Sequence, residues 1–244
     1  INLADEYSNE KERFGIWKDY GILVEGKAVN EMTAMFLRVW EYSIGKCEEN
    51  FDKYICDYHS ENDGLVIPFG ADPSMKENTV KNAYLNMISS AKKYIYITTP
   101  YLIPDSETLS ALKLASKSGV DVRIIAPHIP DKWYVAAVTK ANYDLLLKSG
   151  VKIYEYKYGF IHAKSILSDD KSAIIGTANF DYRSFYYLFE NLIFLYKTNS
   201  IKEIKSDFIK TISESIKITE KDIENRNFIE KAYYSFMNFF AIFM

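Results

Sequence analysis

The sequence predicts an α/β fold in which helices cover the faces of a sheet. Downstream of residue 64, short apolar, β-branched segments alternate with longer segments whose apolar residues recur every three or four positions. Gly119 and Gly150 close two of the helical segments, as glycines often do where a chain leaves a helix. This alternation of strand and helix patterns is typical of an α/β sheet.

The first 63 residues are predicted to hold one strand and one helix. Residues 17–25 read as a strand that ends at Gly26, and residues 28–45 read as a helix. The polar residues 46–63 read as a linker. The apolar positions of the helix that recur at helical spacing are Val29, Met32, Phe36, Val39 and Trp40.

After residue 64, predicted strands alternate with predicted helices over the larger part of the chain. Helices are expected at residues 77–92, 106–118, 132–148 and 201–216. Strands are expected at residues 65–68, 94–98, 120–125, 151–156, 161–167, 172–175 and 191–196.

The apolar tail, residues 217–244, is rich in aromatic and aliphatic side chains from residue 228 onward. It is too short and too interrupted to cross a bilayer. Two interpretations remain open: the tail packs on the protein, or it lies at a membrane surface.

Composition narrows the function classes. The formal net charge of −3 and the pI of about 5.8 argue against a nucleic-acid partner, which usually requires a basic surface. Cys47 and Cys56 are the only cysteines, too few for a four-cysteine zinc site. We found no metal-binding cluster and no nucleotide-binding loop, so we expect no metal and no cofactor.

One motif carries the chemistry. Residues 162–179 read H-x-K-x4-D-x6-G-T-x-N, and His162 and Lys164 lie two apart in an apolar run that is predicted to be a strand. Alternate residues of a strand project to the same side, so imidazole and ammonium should lie together. An imidazole can act as nucleophile or general acid/base on a phosphodiester, while an ammonium neutralises the phosphoryl oxygens.

This pattern resembles the HKD motif of the phospholipase D superfamily. Three further segments closely resemble bacterial cardiolipin synthases: residues 94–104 (YIYITTPYLIP), 118–125 (SGVDVRII) and 176–184 (GTANFDYRS). The resemblance implies a phospholipase D-like mixed sheet flanked by helices. It also implies the second lobe of a two-lobe enzyme (residues 61–216), preceded by a remnant of the first lobe and a linker (residues 1–60).

The resemblance assigns candidate residues. His162, Lys164 and Asp169 are expected to be catalytic, with Asp169 supporting the site rather than touching substrate. Glu190 matches a glutamate that orients the imidazole in relatives, and Ser184 could join that network. The expected substrate-binding residues are Gly176, Asn179, Tyr101, which lines the mouth of the site, and Asn2, which matches the last residue of the family's first motif.

The resemblance also implies the reaction. Members of the family transfer a phosphatidyl group between two phosphatidylglycerol molecules through a phosphohistidine, at the cytoplasmic face of the bacterial membrane. They use two HKD motifs, whereas this chain carries one, so we expect a C-terminal portion with half an active site that needs the upstream lobe. His162 would then be the general acid/base. The alternatives are a hydrolase or nuclease of the same superfamily, and a non-catalytic lipid-binding fragment.

Overall fold

An eight-stranded mixed sheet forms the centre of the structure, a computed structural model that describes residues 2–47, 50–58, 60–61 and 63–244. The strands are β1 (Leu65–Ala71), β2 (Tyr94–Thr98), β3 (Asp121–Pro127), β4 (Lys152–Tyr156), β5 (Ser165–Ser168), β6 (Ser172–Gly176), β7 (Glu190–Tyr196) and β8 (Ser215–Ile218). The α-helices are α1 (Ala28–Ile44), α2 (Thr79–Ser90), α3 (Ser106–Lys117), α4 (Trp133–Leu147), α5 (Tyr182–Tyr186), α6 (Ser200–Ser213), α7 (Glu220–Glu224) and α8 (Phe228–Asn238). Short 3-10 helices span Phe51–Tyr54 and Ala241–Phe243.

The strands lie in the order β1-β7-β6-β5-β2-β3-β4-β8. β2, β3 and β4 are parallel, and α3 and α4 connect them. All the other neighbouring strands pair antiparallel. The predicted α/β fold with a mixed sheet is therefore confirmed.

The core lies on both faces of this sheet. Along β2, Ile95 and Ile97 pack against α2, α3 and α4, whereas Tyr94 and Tyr96 point to the opposite face, where α6 and its Phe208 cover them. Alternate residues of a strand face opposite sides, so a strand covered on both faces is apolar throughout. All five residues of β2 are accordingly buried.

Three predicted elements differ from the structure. Residues 17–25 form no strand; Lys18 makes one isolated bridge to Ile161. The strand expected at residues 161–167 begins only at Ser165, so His162 and Lys164 lie in the extended segment before it. The helix expected at residues 201–216 ends at Ser213, and its last residues instead begin the edge strand β8, which pairs with β4.

The apolar face predicted for α1 is wrong in part. Leu37 is its buried residue, whereas Phe36, Val39 and Trp40 are 62%, 39% and 52% exposed. Because α1 packs on the sheet over only part of its circumference, an aromatic face remains at the surface.

The tail packs on the protein. Met237, Ala241 and Met244 contact the cluster formed by Ile103, Val135 and Val138, and α8 lies along α4. Three of its aromatic residues point outward: Phe228, Phe239 and Phe243 are 83%, 83% and 73% exposed. Within the described ranges, no helix is long and apolar enough to span a membrane.

Candidate functional site

A strap near the N-terminus, formed by residues 16–18, holds the segment that carries His162. The Lys18 N–H donates to Phe160 O (3.0 Å), and the N–H groups of His162 and Ala163 donate to Lys18 O at 2.7 and 3.2 Å. A Cβ on Gly159 would lie 2.1 Å from Ile16 O, so this close approach requires glycine. The strap therefore fixes the backbone of the candidate site from a distant part of the chain.

The imidazole of His162 lies between a carboxylate and an ammonium. Its Nδ1 is 2.8 Å from Asp19 Oδ2, and Lys164 Nζ is 2.7 Å from Nε2 and 2.8 Å from Nδ1. A carboxylate only accepts, so we assign the proton to Nδ1. Nε2 then carries the lone pair of the ring and accepts a hydrogen bond from the Lys164 ammonium at 2.7 Å.

Burial shifts the pKa of each member of this group. Desolvation lowers the pKa of Lys164 to about 8, although the charges of Asp19, Glu190 and Asp181 oppose the shift. Burial also lowers the pKa of His162, opposed by the hydrogen bond with Asp19 and assisted by the charge of Lys164. Burial alone would raise the pKa of Asp19, but the hydrogen bond from His162 and the charge of Lys164 lower it. At neutral pH the group is a neutral imidazole beside a charged lysine.

Aromatic rings form a wall beside the imidazole. The ring of Tyr7 lies 5.1 Å from that of His162 in an edge-on arrangement, and the rings of Trp17 and Phe160 lie 6.0 and 6.1 Å away. Such a wall excludes water from one side of the site.

Two of the predicted substrate-binding residues lie at the edge of this wall. Asn2 donates from Nδ2 to the Tyr7 hydroxyl at 2.8 Å. Tyr101 lies 6.4 Å from Phe160, ring to ring, and its hydroxyl donates to Asp131 at 2.6 Å. Both are therefore near His162 but separated from it by an aromatic ring.

The G-T-x-N segment forms a polar cluster. The backbone N–H of Asn179 donates to Ser184 Oγ at 3.0 Å, and its Nδ2 donates to Asp181 Oδ2 at 3.0 Å. Its Oδ1 is buried, with no hydrogen-bond partner among the described residues. A Cβ on Gly176 would lie 2.4 Å from Asn191 O, so this glycine permits close approach of β7.

Glu190 occupies a different place from the one expected. Its carboxylate accepts from the Thr177 hydroxyl, and Ser184 also bonds to it. Burial raises its pKa, while the charge of Lys164 opposes that rise. The carboxylate that the described structure places on the His162 ring is Asp19, and Glu190 lies on Thr177 and Ser184 instead.

Asp169 lies at the other end of β5. Its carboxylate accepts from the backbone N–H groups of Lys92 and Lys93 (both 2.8 Å) and Tyr94 (2.9 Å). It therefore ties the β5–β6 turn to the start of β2. The structure brings His162 and Lys164 together and places Asp169 apart from them, at a turn that supports the strand after the H-x-K pair.

Asp19 and Asp181 were not among the predicted residues. The contact between Asp19 and His162 spans 143 positions, and no local spacing signals it. Asp181 lies inside the segment 176–184, which resembles the family. In the structure its side chain caps the start of α5 by accepting from the Ser184 N–H, a common role for aspartate at that position. The described residues include no cluster of three His, Cys, Asp or Glu that could hold a metal ion.

Comparisons with known proteins agree with the motif. Residues 84–212 match the family described as cardiolipin synthase, PLD-like domain. An uncharacterized protein of Streptococcus mutans is 42% identical over 233 residues, which cover 95% of this chain and 50% of that protein. The cardiolipin synthase of Alkalihalophilus pseudofirmus is 39% identical over 233 residues, covering 95% and 46%. The chain thus spans about half the length of these curated relatives.

Solved structures share the fold at low sequence identity. Nuc from Salmonella typhimurium, a phospholipase D family member, has a TM-score of 0.55 with 19% identity, covering 64% of this chain and 99% of that one. The phosphatidylserine synthase of Haemophilus influenzae has a TM-score of 0.55 with 16% identity, covering 72% and 45%. These structures show the fold alone, whereas the family match at residues 84–212 covers more than half of the chain. The chain therefore belongs to the cardiolipin synthase family, with a phospholipase D-like domain.

Proposed function

We propose that the chain provides the general acid/base half of a phosphatidyltransferase that joins two phosphatidylglycerol molecules into cardiolipin and releases glycerol. The observation that carries this proposal is the geometry around Nε2 of His162. That atom accepts a hydrogen bond from the buried ammonium of Lys164 at 2.7 Å, and the ring is held in place through Nδ1 by Asp19.

The proposed first step uses a second imidazole, from the upstream lobe, as nucleophile. That nitrogen attacks the phosphorus of one phosphatidylglycerol, a P–N bond forms, and the P–O bond to the headgroup glycerol breaks. Protonated His162 donates its Nε2 proton to the departing glycerol oxygen. Burial lowers the pKa of His162 in the free protein, but the bound phosphodiester anion favours the imidazolium form.

In the proposed second step His162 acts as a base. Its Nε2 removes the proton from a headgroup hydroxyl of the second phosphatidylglycerol, whose oxygen attacks the phosphorus while the P–N bond breaks. Lys164 neutralises the phosphoryl oxygens in both steps, and Asp19 stabilises the imidazolium that the second step forms. We place the reaction at a membrane surface, because both substrates are lipids.

The experiment that tests this proposal is a chimera in which this chain replaces the matching half of the Alkalihalophilus pseudofirmus relative. We expect the chimera to form cardiolipin from phosphatidylglycerol in vesicles. His162→Asn should lower turnover by at least ~100-fold, because acid/base assistance is lost. The matched control is His128→Asn, which makes the same change at a histidine paired with Glu155 outside the His162 group.

Phosphohistidine labelling separates the two histidine roles. With phosphate-labelled phosphatidylglycerol, we expect the label on the upstream half of the chimera. Label on His162, or full activity of the His162→Asn chimera, would contradict the proposed role.

A further inference from the structure

A groove runs between α1 and the sheet. It has a volume of about 480 Å³ and is lined mainly by apolar side chains: Met35, Phe36, Val39, Ala71, Leu188 and Phe189. A Cβ on Gly70 would lie 2.7 Å from Met35 Cε and 2.4 Å from Glu190 O, so glycine allows α1 to lie close to β1. The volume is comparable to that of pockets that hold small organic ligands.

The lining of the groove includes two residues of the polar cluster that follows the H-x-K pair, Thr177 and Glu190. Thr177 follows Gly176, whose N–H donates to Lys164 O at 3.4 Å, and the charge of Glu190 acts on the Lys164 ammonium. The groove therefore shares Glu190 with the surroundings of the Lys164 ammonium.

The rim of the groove is aromatic and exposed. Phe36 stacks on Trp40 at 6.1 Å, and Tyr42 lies 5.5 Å from Phe189, measured between ring centroids. Tyr42 is 74% exposed. Contiguous exposed aromatic residues are typical of surfaces that contact lipid or protein, and Trp and Tyr favour the interface between membrane and water.

We propose that this groove binds one acyl chain of the phospholipid whose phosphodiester lies at His162 and Lys164. The inference rests on the proposed function. Phosphate and acyl chains belong to one molecule, so an apolar groove that shares Glu190 with the surroundings of Lys164 fits an acyl chain of a phospholipid bound there. The aromatic rim then lies at the membrane interface, where the chain leaves the bilayer.

The test uses the chain and monomeric phosphatidylglycerols with acyl chains of increasing length, studied by calorimetry below their micelle concentrations. We expect affinity to rise about fourfold for each methylene that the groove buries. Val39→Asp should remove this dependence, because it places a charge in the groove. The matched control is Leu114→Asp, at an aliphatic residue on α3 that is 65% exposed, and it should leave the dependence intact.

A flat length series for the unmodified chain would overturn the proposal, as would equal behaviour of the two variants. A phosphatidylglycerol with a photoreactive group at the acyl end locates the chain independently. Label on α1 or residues 188–189 supports the groove, whereas label confined to α8 overturns it.

Failure of the groove and failure of the proposed function are distinguishable. Length-dependent binding without cardiolipin formation by the chimera would reject the transferase and keep the groove. A Val39→Asp chimera that forms cardiolipin with unchanged kcat and KM would reject the groove and keep the transferase.

Discussion

We expect the buried lysine of the H-x-K pair to lower the stability of the fold. Lys164 is 6% exposed, and burial lowers its pKa from 10.5 to about 8. A base whose pKa is lower in the folded state binds its proton less tightly there than in the unfolded chain. Protonated Lys164 therefore lowers the free energy of unfolding by its full amount at every pH below about 8. This loss of stability shrinks as the pH rises from 8 to 10.5 and is absent above that range.

Replacing Lys164 with Met should therefore stabilise the chain. We expect the free energy of unfolding at pH 7 to rise by roughly 1–3 kcal/mol, since 2.5 pKa units correspond to about 3 kcal/mol and Asp19 loses a neighbouring cation. The rise in stability between pH 8 and 10.5 should disappear. Urea unfolding at several pH values measures both effects.

The matched control for this prediction is Lys148→Met. Lys148 forms an exposed pair with Asp144 on α4, so its loss should leave stability nearly unchanged. A Lys164→Met chain less stable than the unmodified chain at pH 7 would show that Lys164 is held by favourable contacts instead.

At the scale of elements, the β5–β6 turn depends on the third residue of the motif. Asp169 and Asp170 both have a positive φ, 54° and 58°. Asp169 accepts three backbone hydrogen bonds from the start of β2, whereas Asp170 accepts from the Tyr94 hydroxyl and pairs with Lys205 at the surface. The backbone requirement is the same at both positions, so only the contacts of the two carboxylates differ.

We expect Asp169→Ala to lower the free energy of unfolding by about 1.5–3 kcal/mol, because three backbone N–H groups lose a charged acceptor. Asp170→Ala, the matched control, should cost about 1 kcal/mol. When the Asp169→Ala chimera is assayed well below its melting temperature, it should keep most of its turnover of phosphatidylglycerol. Loss of turnover in a folded Asp169→Ala chimera would assign the carboxylate a direct part in catalysis.

The tail presents a second element to test. Deleting residues 228–244 would uncover Val135 and Val138 on α4, so a deletion changes the fold as well as the surface. Substituting Phe228, Phe239 and Phe243 with Ser leaves the packed residues in place. We expect vesicle binding to fall at least ~10-fold, since each exposed Phe that enters the interface contributes apolar burial.

The control for the tail is the triple substitution of Leu23, Leu114 and Ile209 with Ser, because all three are exposed apolar residues elsewhere on the surface. Co-sedimentation with phosphatidylglycerol vesicles measures both variants. Equal binding by the two variants would mean that the tail serves packing alone.

The sequence pattern predicts a helix or strand well where the periodicity of that element alone dominates. The expected bounds of β2, 94–98, match the structure because every residue of that strand is apolar or β-branched and buried on both faces. Residues 17–25 have the pattern of a strand. In the structure, however, the backbone hydrogen bonds of Lys18 go to loop residues 160–163, so the chain forms a strap there instead of a strand of the sheet. The face of α1 was predicted from periodicity, which cannot tell a buried face from a ligand-binding one. Asp19 could not be found from spacing, since tertiary packing alone brings it to His162.

At the scale of the whole molecule, the N-terminal strap restricts how a second copy of the chain could approach His162. Trp17 is 8% exposed, and it covers His162 together with Tyr7. Two copies of the chain could bring their His162 residues face to face only if this strap moved away. Exposing a buried Trp and a Tyr costs about 1.5–3 kcal/mol for each side chain, in addition to the lost Asp19–His162 hydrogen bond.

The chain alone should therefore turn over little phosphatidylglycerol. Its sequence carries a single H-x-K pair, whereas the proposed double displacement uses one imidazole as nucleophile and another as acid/base. We expect cardiolipin formation to appear when the purified chain is mixed with the separately expressed first half of the Alkalihalophilus pseudofirmus relative. Addition of the same half with its own H-x-K histidine changed to Asn is the matched control and should restore nothing. Robust activity of the chain alone, with a mass in solution of two chains, would show that the strap does open and that two His162 residues complete one site.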